Sequence, residues 1–186
     1  MSDRVVNKLT ENKFLNIYEV VDPEHHCKGY QFAERRGKDS VAFICYNKED
    51  KNFIINCEFT PPNGMFMERA FGGSLDKEDK KHVDIVIEEV EEEAGYKVDK
   101  EDVNYVGDCF VSTQMNQRCY LYLVFVSDGQ KVERKPQNAI EALASIRKCH
   151  LNWILSGDDW KAITIVMKAV ERGYLKLFSK EIEVGI

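Results

Sequence analysis

Three glutamates, Glu89, Glu92 and Glu93, have the spacing of side chains that could bind a divalent cation together. At about 100° per residue, positions i, i+3 and i+4 lie on one face of an α-helix. Like charges at this spacing destabilise an isolated helix by roughly 0.2–0.5 kcal/mol per pair, so the cluster suggests an external counter-charge. Hard carboxylate oxygens suit Mg²⁺ or Mn²⁺. The alternative is a solvated surface, which is the usual role of a glutamate-rich helical face.

The helix that carries these glutamates is predicted over residues 82–94. Its apolar residues recur at i, i+3, i+4, i+7 and i+11 and form a stripe that faces the core. The stripe consists of Val83, Val86, Ile87, Val90 and Ala94. The three glutamates stand on the flank beside this stripe, whereas Glu88 and Glu91 point to the other flank. Gly95 is predicted to end the helix.

The residues around this helix resemble the signature of the Nudix hydrolase family, G-x5-E-x7-R-E-U-x-E-E-x-G-U, in which U is apolar. Counting back from Gly95, the three glutamates occupy the helix glutamate positions of that signature. Val90 takes the first apolar position and Tyr96 the last one. Counting forward from Gly72, the first residue of a glycine pair, Glu78 falls on the upstream glutamate.

The chain departs from this signature at two places. Nine residues separate Glu78 from Glu88, where the signature has seven, so the loop at residues 76–81 is longer by two. A loop tolerates such an insertion at little entropic cost. Glu88 also stands where the family has an arginine that pairs with the glutamates and orients them. The added repulsion could raise the pKa of one carboxylate towards that of a general base, or leave the site dependent on metal for its order.

Within the family, the chain resembles the ADP-ribose pyrophosphatase branch most. Residues 36–42 resemble the arginine-glycine start of that branch's first core strand. Residues 57–62 resemble its Glu-Gln-Phe-Arg segment, with Thr60 in place of the arginine that lies close to the substrate phosphates. Residues 68–72 resemble its Glu-Leu-Pro-Ala-Gly segment, in which the carbonyl before the glycine binds metal. The resemblance therefore implies that the Phe71 carbonyl is a metal ligand.

The resemblance, which extends over roughly residues 18–175, implies metal-dependent hydrolysis of the pyrophosphate bond in a nucleoside diphosphate linked to another group. ADP-ribose or a nucleotide sugar is the expected substrate, and a nucleoside monophosphate is one expected product. Mg²⁺, with Mn²⁺ as an alternative, would be held by Glu89, Glu92, Glu93 and the Phe71 carbonyl. Glu141 resembles the downstream glutamate that the branch uses near the metals or the attacking water. These four glutamates are the expected catalytic residues, with Glu133 as a competitor of Glu141.

Two other functions are compatible with the same residues. The glutamate at position 88 and the longer loop could mark a Nudix-fold module that binds a nucleotide or a protein partner without hydrolysing it. Such a module would not need all three helix glutamates, which favours the enzyme. An acidic calcium-binding or structural domain is the third interpretation, against which the absence of an EF-hand loop counts.

The elements around the helix predict an α/β/α sandwich with a mixed β-sheet over residues 38–186. Strand-like runs rich in β-branched and aromatic residues occur at 41–46, 53–59, 103–111 and 120–126. The last helix is predicted to begin at Asp158 as N-cap and to end at Gly173. Its predicted apolar stripe is Trp160, Ile163, Val166, Met167 and Val170. By analogy with the family, residues 1–37 are predicted to add a strand layer that contacts a second copy of the chain in a homodimer.

The composition narrows the class of protein further. The chain has 186 residues, of which 44% are apolar and 31% charged, so one globular domain is expected. Because its net charge is −6, duplex nucleic acid is not an expected partner. Six cysteines without a C-x-x-C pair predict reduced thiols and a cytoplasmic location. No apolar stretch approaches the roughly 18 residues of a membrane span. The motifs of P-loops, dinucleotide-binding turns, zinc proteases and hydrolase elbows are absent from the sequence.

Overall fold

The computed structural model of the protein describes residues 4–37, 39–76, 79–178 and 181–184. Within these residues, the strands of the main sheet are β1 Val5–Lys8, β2 Leu15–Asp22, β3 Cys27–Arg35, β4 Ser40–Asn47, β5 Asn52–Thr60, β6 Met65–Arg69, β7 Phe71–Ser74, β8 Val103–Ser112, β9 Met115–Val126 and β10 Ser145–Cys149. They form one sheet in the order β1-β2-β3-β9-β4-β5-β10, with β6 beside β5, β7 beside β4 and β8 beside β9. A separate hairpin consists of β11 Leu175–Phe178 and β12 Glu181–Val184.

The helix predicted to carry the glutamates is present and changes type along its length. Helix α1, His82–Glu89, is continued by a π-helical turn, Val90–Ala94. Gly95 ends this turn with a φ of 74° in the left-handed region, which glycine adopts without steric cost. The other helices are α2 Ala139–Leu143, α3 Leu151–Ser156 and α4 Trp160–Glu171. In the part of the chain that is described, no helix is long and apolar enough to cross a membrane.

The centre of the sheet is the parallel pair of β4 and β9, in which Ser40 lies opposite Cys119 and Asn47 lies opposite Val126. Every residue of β4 is buried, as expected for a strand that has helices over both of its faces. Because successive side chains point to opposite faces, β4 contributes to two cores. Its residues Val41, Phe43 and Cys45 pack on the side of α1, and Ala42, Ile44 and Tyr46 pack on the side of α4. The predicted α/β/α sandwich with a mixed sheet is therefore confirmed.

The start of α4 lies one residue later than predicted. The N-cap is Asp159 and not Asp158, because the Oδ1 atom of Asp159 accepts a hydrogen bond from the N–H of Lys161 at 3.2 Å. Its Oδ2 atom accepts the N–H of Ala70, the residue between β6 and β7, at 2.5 Å. One carboxylate thus caps the helix and fixes it to the strands beneath it.

The buried face of α4 also differs from the predicted stripe. The fully buried residues are Ala162, Ile165, Val166 and Ala169, whereas Trp160 is 37% and Met167 is 49% exposed. Alanines let a helix lie close to the sheet, and the large residues then remain at the edge of the contact. The predicted stripe was right for Val166, which is buried, and for Ile163 and Val170, which pack against the core. It was wrong for Trp160 and Met167 and left the alanines out. The predicted end of the helix is confirmed, since Gly173 has a φ of 79°.

Strands β1 to β3 form an antiparallel meander at one edge of the sheet. The meander joins the rest of the sheet through a bridge between Ala33 and Met115. Several apolar side chains on or beside it are exposed, namely Val5, Val6, Phe14, Leu15 and Tyr30. The contact of residues 1–37 with a second copy of the chain stays a prediction.

All six cysteines are free thiols. Cys45, Cys119 and Cys149 are buried in the two cores. Burial raises the pKa of the Cys149 thiol to about 11 and raises the pKa of Cys45 as well, so these thiols stay neutral and unreactive at ordinary pH. The structure agrees with the predicted reduced state, and the cytoplasmic location stays a prediction.

Replacing Ile165 by alanine is expected to destabilise the protein by about 2–5 kcal/mol, because a fully buried side chain is removed from between α4 and the sheet. Urea unfolding followed by circular dichroism measures this loss. Met167→Ala is the control on the same helix, and its half-exposed side chain should cost less than about 1 kcal/mol. A larger loss for Met167→Ala than for Ile165→Ala would contradict the observed orientation of the helix.

Candidate active site

Charged side chains from distant parts of the sequence meet at one cavity of about 500 Å³. It lies against the end of α1, strand β7 and the β5–β6 pair, and residues of α2 and α4 also line it. The carboxylates among its described lining residues are Glu58, Asp76, Glu89, Glu93 and Glu141. The cationic side chains among them are Arg35, Arg69 and Lys161. The cavity therefore offers oxygen ligands for a cation and hydrogen-bond donors for an anion in the same space.

The glycine pair of β7 explains how the glutamates approach the sheet so closely. A Cβ atom placed on Gly73 would lie 2.6 Å from Oε1 and 2.8 Å from Cγ of Glu89. Any side chain at this position would occupy the space of the Glu89 carboxylate. The N–H of Gly72 donates a hydrogen bond to Oε2 of Glu93 at 3.5 Å. The two glycines thus form the floor against which both glutamates lie.

Glu93 is a buried carboxyl group of the cavity with a strongly raised pKa. It is only 9% exposed, and burial together with the neighbouring charge of Glu89 raises its pKa to about 8. The charges of Glu141 and Glu58 raise it further, and the Gly72 N–H opposes the shift. A bound divalent cation would reverse this balance, since positive charge favours the ionised form. The residues of the cavity therefore fit a metal ion by their carboxylate oxygen donors and by the raised pKa of Glu93.

Glu92 does not line this cavity. Its Oε2 atom instead accepts a hydrogen bond from Nε2 of Gln137, and Gln137 itself lines the cavity. The cause is the π-helical turn at Val90–Ala94. A π turn contains more residues than an α turn, so each residue advances by a smaller angle. Glu93 consequently stays in line with Glu89, and Glu92 is displaced to the side.

Glu141 reaches the cavity from the short helix α2. Asn138 caps this helix by accepting the N–H groups of Ile140 and Glu141. The Glu141 carboxylate accepts the backbone N–H of Gln137 at 2.6 Å and a hydrogen bond from Nδ2 of Asn138. Its competitor Glu133 is exposed and is not among the described lining residues. Of these two candidates, the structure brings Glu141 to the helix glutamates.

Phe71 lines the cavity, but its side chain belongs to the core, where its ring lies 5.2 Å from that of Phe43. The Phe71 carbonyl and the Gly72 N–H belong to one trans peptide and point in opposite directions. Since the N–H points to Glu93, the carbonyl faces away from this carboxylate. The structure places the Gly72 amide beside Glu93, and the Phe71 carbonyl as a metal ligand stays a prediction.

Glu88 lies outside the cavity, and its charge is balanced. Lys80 donates a hydrogen bond to its Oε1 atom, and both side chains are more than a third exposed. Lys80 belongs to the segment at residues 76–81 that is longer by two residues than the family pattern. The negative charge at the position of the family arginine is therefore neutralised locally. Glu78 lies outside the described residues.

Arg134 is a residue of the site that sequence reasoning missed. Its Nε atom donates to the carbonyl oxygen of Glu93 at 2.6 Å, its Nη1 to that of Ala144 at 2.8 Å and its Nη2 to that of Glu141 at 3.4 Å. One guanidinium thus ties the π-helical turn to the C-terminal half of α2, the helix that carries Glu141. The stem of Arg134 passes so close to Gly95 that a Cβ atom there would lie 3.0 Å from its Cγ. The sequence does not single out Arg134. It indicates only that the last carbonyls of a helix need hydrogen-bond donors from somewhere in the chain.

Two arginines of the cavity were also missed. Arg69 donates to Oγ1 of Thr60 at 3.4 Å and lies 3.8 Å from Oε2 of Glu58. A guanidinium from β6 is therefore present beside the position at which the related branch has an arginine and this chain has Thr60. Arg35 donates to Oγ of Ser74 at 2.5 Å, which holds its side chain at the other side of the glycine pair.

One group of potential metal ligands lies outside the cavity. Among the described residues, the ligand atoms of Asp22, Glu24 and His25 lie within 4.8 Å of one another. Asp22 accepts the backbone N–H of His25 at 3.3 Å, and its Oδ2 lies 3.0 Å from Nδ1 of the same residue. These hydrogen bonds within the turn between β2 and β3 account for the cluster without an ion.

Comparisons with known proteins identify the fold but no close relative. No family model matches the chain, and no curated protein matches it in sequence. Among solved structures, the chain is similar to one described as the crystal structure of an ADP compounds hydrolase. The TM-score is 0.68, the sequences are 10% identical, and the match covers 92% of this chain and 93% of the other. At this identity the likeness shows a Nudix-like fold and does not transfer an activity.

Replacing Arg134 by methionine is expected to destabilise the protein by about 2–4 kcal/mol, because it keeps the apolar stem but leaves three backbone carbonyls without their charged donor. Urea unfolding measures the loss, with Arg36→Met as the control at an exposed arginine. If both variants lose the same small amount of stability, the bridge between the π-helical turn and α2 has no energetic role.

Proposed function

We propose that this protein catalyses metal-dependent hydrolysis of the pyrophosphate bond in a nucleoside diphosphate linked to another group. ADP-ribose or a nucleotide sugar is the expected substrate. The observation that carries the proposal is the single cavity in which carboxylates face the same space as two guanidinium groups and an ammonium group. The likeness of the fold to that of an ADP compounds hydrolase supports it.

Glu89 and Glu93 would hold the cation, for which Mg²⁺ is the first choice and Mn²⁺ the second. Their oxygen donors line one cavity, and the space around Glu89 exists because the neighbouring strand residue is glycine. When bound, the cation would neutralise charge on the pyrophosphate and lower the pKa of a water molecule. The family resemblance also implies Glu92 and the Phe71 carbonyl as ligands; the Phe71 carbonyl stays a prediction, and Glu92 is left out of the proposed set because it is not among the described lining residues.

The cationic side chains would bind the phosphate groups. Arg35 and Arg69 present planar guanidinium groups, which match two phosphate oxygens at once. Ser74 and Thr60 hold these two side chains by hydrogen bonds, so less conformational freedom is lost when a substrate binds. Lys161, at the start of α4, adds a positive charge to the same lining.

Glu141 is the residue that we assign to the proton of the attacking water. Donors from Gln137 and Asn138 hold its carboxylate in place at the cavity, as a general base requires. In the reaction, the water oxygen forms a bond to one phosphorus and its proton passes to Glu141. The bond from this phosphorus to the bridging oxygen breaks, and the bridging oxygen leaves with the second phosphate. ADP-ribose would yield AMP and ribose 5-phosphate.

The test is mass-spectrometric analysis of products after incubation with Mg²⁺ or Mn²⁺ and a panel of ADP-ribose, nucleotide sugars, dinucleotides and nucleoside triphosphates. Release of a nucleoside monophosphate from one class of compound, only with metal present, is the expected result. Glu93→Gln should lower the rate about 100-fold or more, because it removes a charged ligand from the buried part of the site. Glu88→Gln should keep the rate, because this residue lies outside the cavity.

Two results would contradict the proposal. Absence of product from every compound, with nucleotide binding intact, would favour the alternative of a Nudix-fold module that binds a nucleotide or a protein partner. A loss of activity in Glu88→Gln as large as in Glu93→Gln would show that the cavity described here is not where the reaction occurs.

A further inference from the structure

Asn56, in the middle of β5, is a buried polar residue with an unpaired atom at the cavity. Its side chain is 2% exposed and lines the cavity beside Glu58 and Arg69. Its Oδ1 atom is buried and has no hydrogen-bond partner among the described residues. Its Nδ2 atom donates to Oε2 of Glu58 over 3.4 Å, which is a long hydrogen bond. The amide is therefore placed at the cavity without being satisfied by the protein.

An unpaired buried amide oxygen destabilises the folded state, because it has lost its water without gaining another donor. An apolar residue would fit a central strand better. Because Asn56 lines the cavity, a donor bound there can approach its side chain. The orphaned oxygen and its place in the cavity lining together point to a partner that a bound ligand supplies.

The groups around Asn56 define the chemistry of that ligand. Arg69 is its strand partner in β6 and lies 3.8 Å from Oε2 of Glu58. The three side chains together offer acceptors, from the amide oxygen and the carboxylate, and donors, from the amide nitrogen and the guanidinium. A phosphate group only accepts and an ammonium group only donates, but a hydroxyl group does both. Neighbouring hydroxyl groups match this mixed set.

We propose that Asn56, Glu58 and Arg69 form a subsite that binds the vicinal hydroxyls of a pentose phosphate, with a hydroxyl donating to Oδ1 of Asn56. This inference rests on the proposed function, since the substrate class proposed above contains such a sugar. The subsite would make the cavity select sugars that carry the diol, because a ligand without it leaves the buried amide unpaired. The diol belongs either to the nucleoside ribose or to a terminal ribose phosphate.

The test measures binding of the expected products, which are not turned over, by ligand-observed NMR titration in the presence of Mg²⁺. Ribose 5-phosphate is compared with 2-deoxyribose 5-phosphate, and AMP is compared with dAMP. At least one compound with the diol should bind about tenfold more tightly than its deoxy analogue, since one charged or buried hydrogen bond has this effect on a dissociation constant. Preference in the first pair assigns the subsite to the terminal sugar, and preference in the second assigns it to the nucleoside.

The variant Asn56→Leu should abolish this preference while keeping the melting temperature at or above that of the parent. Loss of the preference with unchanged stability distinguishes a binding group from a structural one. Asn116→Leu is the matched control, because Asn116 also has a buried unpaired Oδ1 atom but does not line the cavity. If Asn56→Leu fails to fold, Asn56→Ala provides the same comparison.

The proposal is overturned if the parent protein shows no preference in either pair, or if the preference survives in the Asn56 variant. Both results are independent of hydrolysis. Absence of turnover with the diol preference intact would instead remove the proposed reaction and leave the subsite in place.

Discussion

The burial of Glu93 beside Glu89 is the constraint on which the rest of the site depends. Two carboxylates one turn apart repel each other, and burial strengthens the repulsion by removing water. Burial and the neighbouring charge of Glu89 together raise the pKa of Glu93 to about 8. The chain nevertheless brings both groups against β7, where a Cβ atom on Gly73 would lie 2.6 Å from Oε1 of Glu89 and the N–H of Gly72 donates to Glu93. Local sterics thus hold two carboxyl groups side by side in a buried part of the cavity.

The chain segment that leads to α2 fixes the position of the π-helical turn that carries Glu93. The carbonyls at the end of the π-helical turn are bound by the chain segment that leads to α2, through the N–H groups of Val132 and Lys135 and through the Arg134 side chain. Because Arg134 also binds the carbonyls of Glu141 and Ala144, the position of one carboxylate-bearing element is coupled to that of the other. Fixed positions of this kind are what catalysis by carboxylates and bound cations requires. The guanidinium acts on the backbone and leaves the carboxylates available to a ligand.

Much of the fold follows from local patterns in the sequence. The predicted runs at 41–46, 53–59, 103–111 and 120–126 all lie within strands of the central sheet, and the glutamate helix has the predicted bounds. The two glycines that end helices do so with positive φ, because glycine alone adopts this conformation without strain. The short strands β6, β7 and β10 carry too few residues for a periodic signal. Their places are set by pairing with strands that are distant in the sequence.

The site was predictable where it depends on helical spacing and unpredictable where it depends on contacts across the chain. Glu89 and Glu93 share one helix face, as their spacing predicts. Glu92 points away from the cavity because of the π-helical turn, which no residue type in the sequence predicts. Arg69, Arg134 and Asn56 owe their roles to tertiary neighbours, and each looks like an ordinary strand or loop residue in the sequence. The sequence shows Glu88 in place of the family arginine, but only the folded structure shows that Lys80 neutralises its charge.

Titration of Mn²⁺ followed by electron paramagnetic resonance tests the central claim most directly, since it counts bound metal without any substrate. The account predicts that Glu93→Gln and Glu89→Gln each weaken Mn²⁺ binding at least tenfold, because each removes a carboxylate that faces the cavity. Glu92→Gln should bind Mn²⁺ nearly as the parent does, because the Glu92 carboxylate is occupied by Gln137. Loss of binding in Glu92→Gln with normal binding in Glu93→Gln would contradict the account and assign the metal to Glu92, outside the cavity.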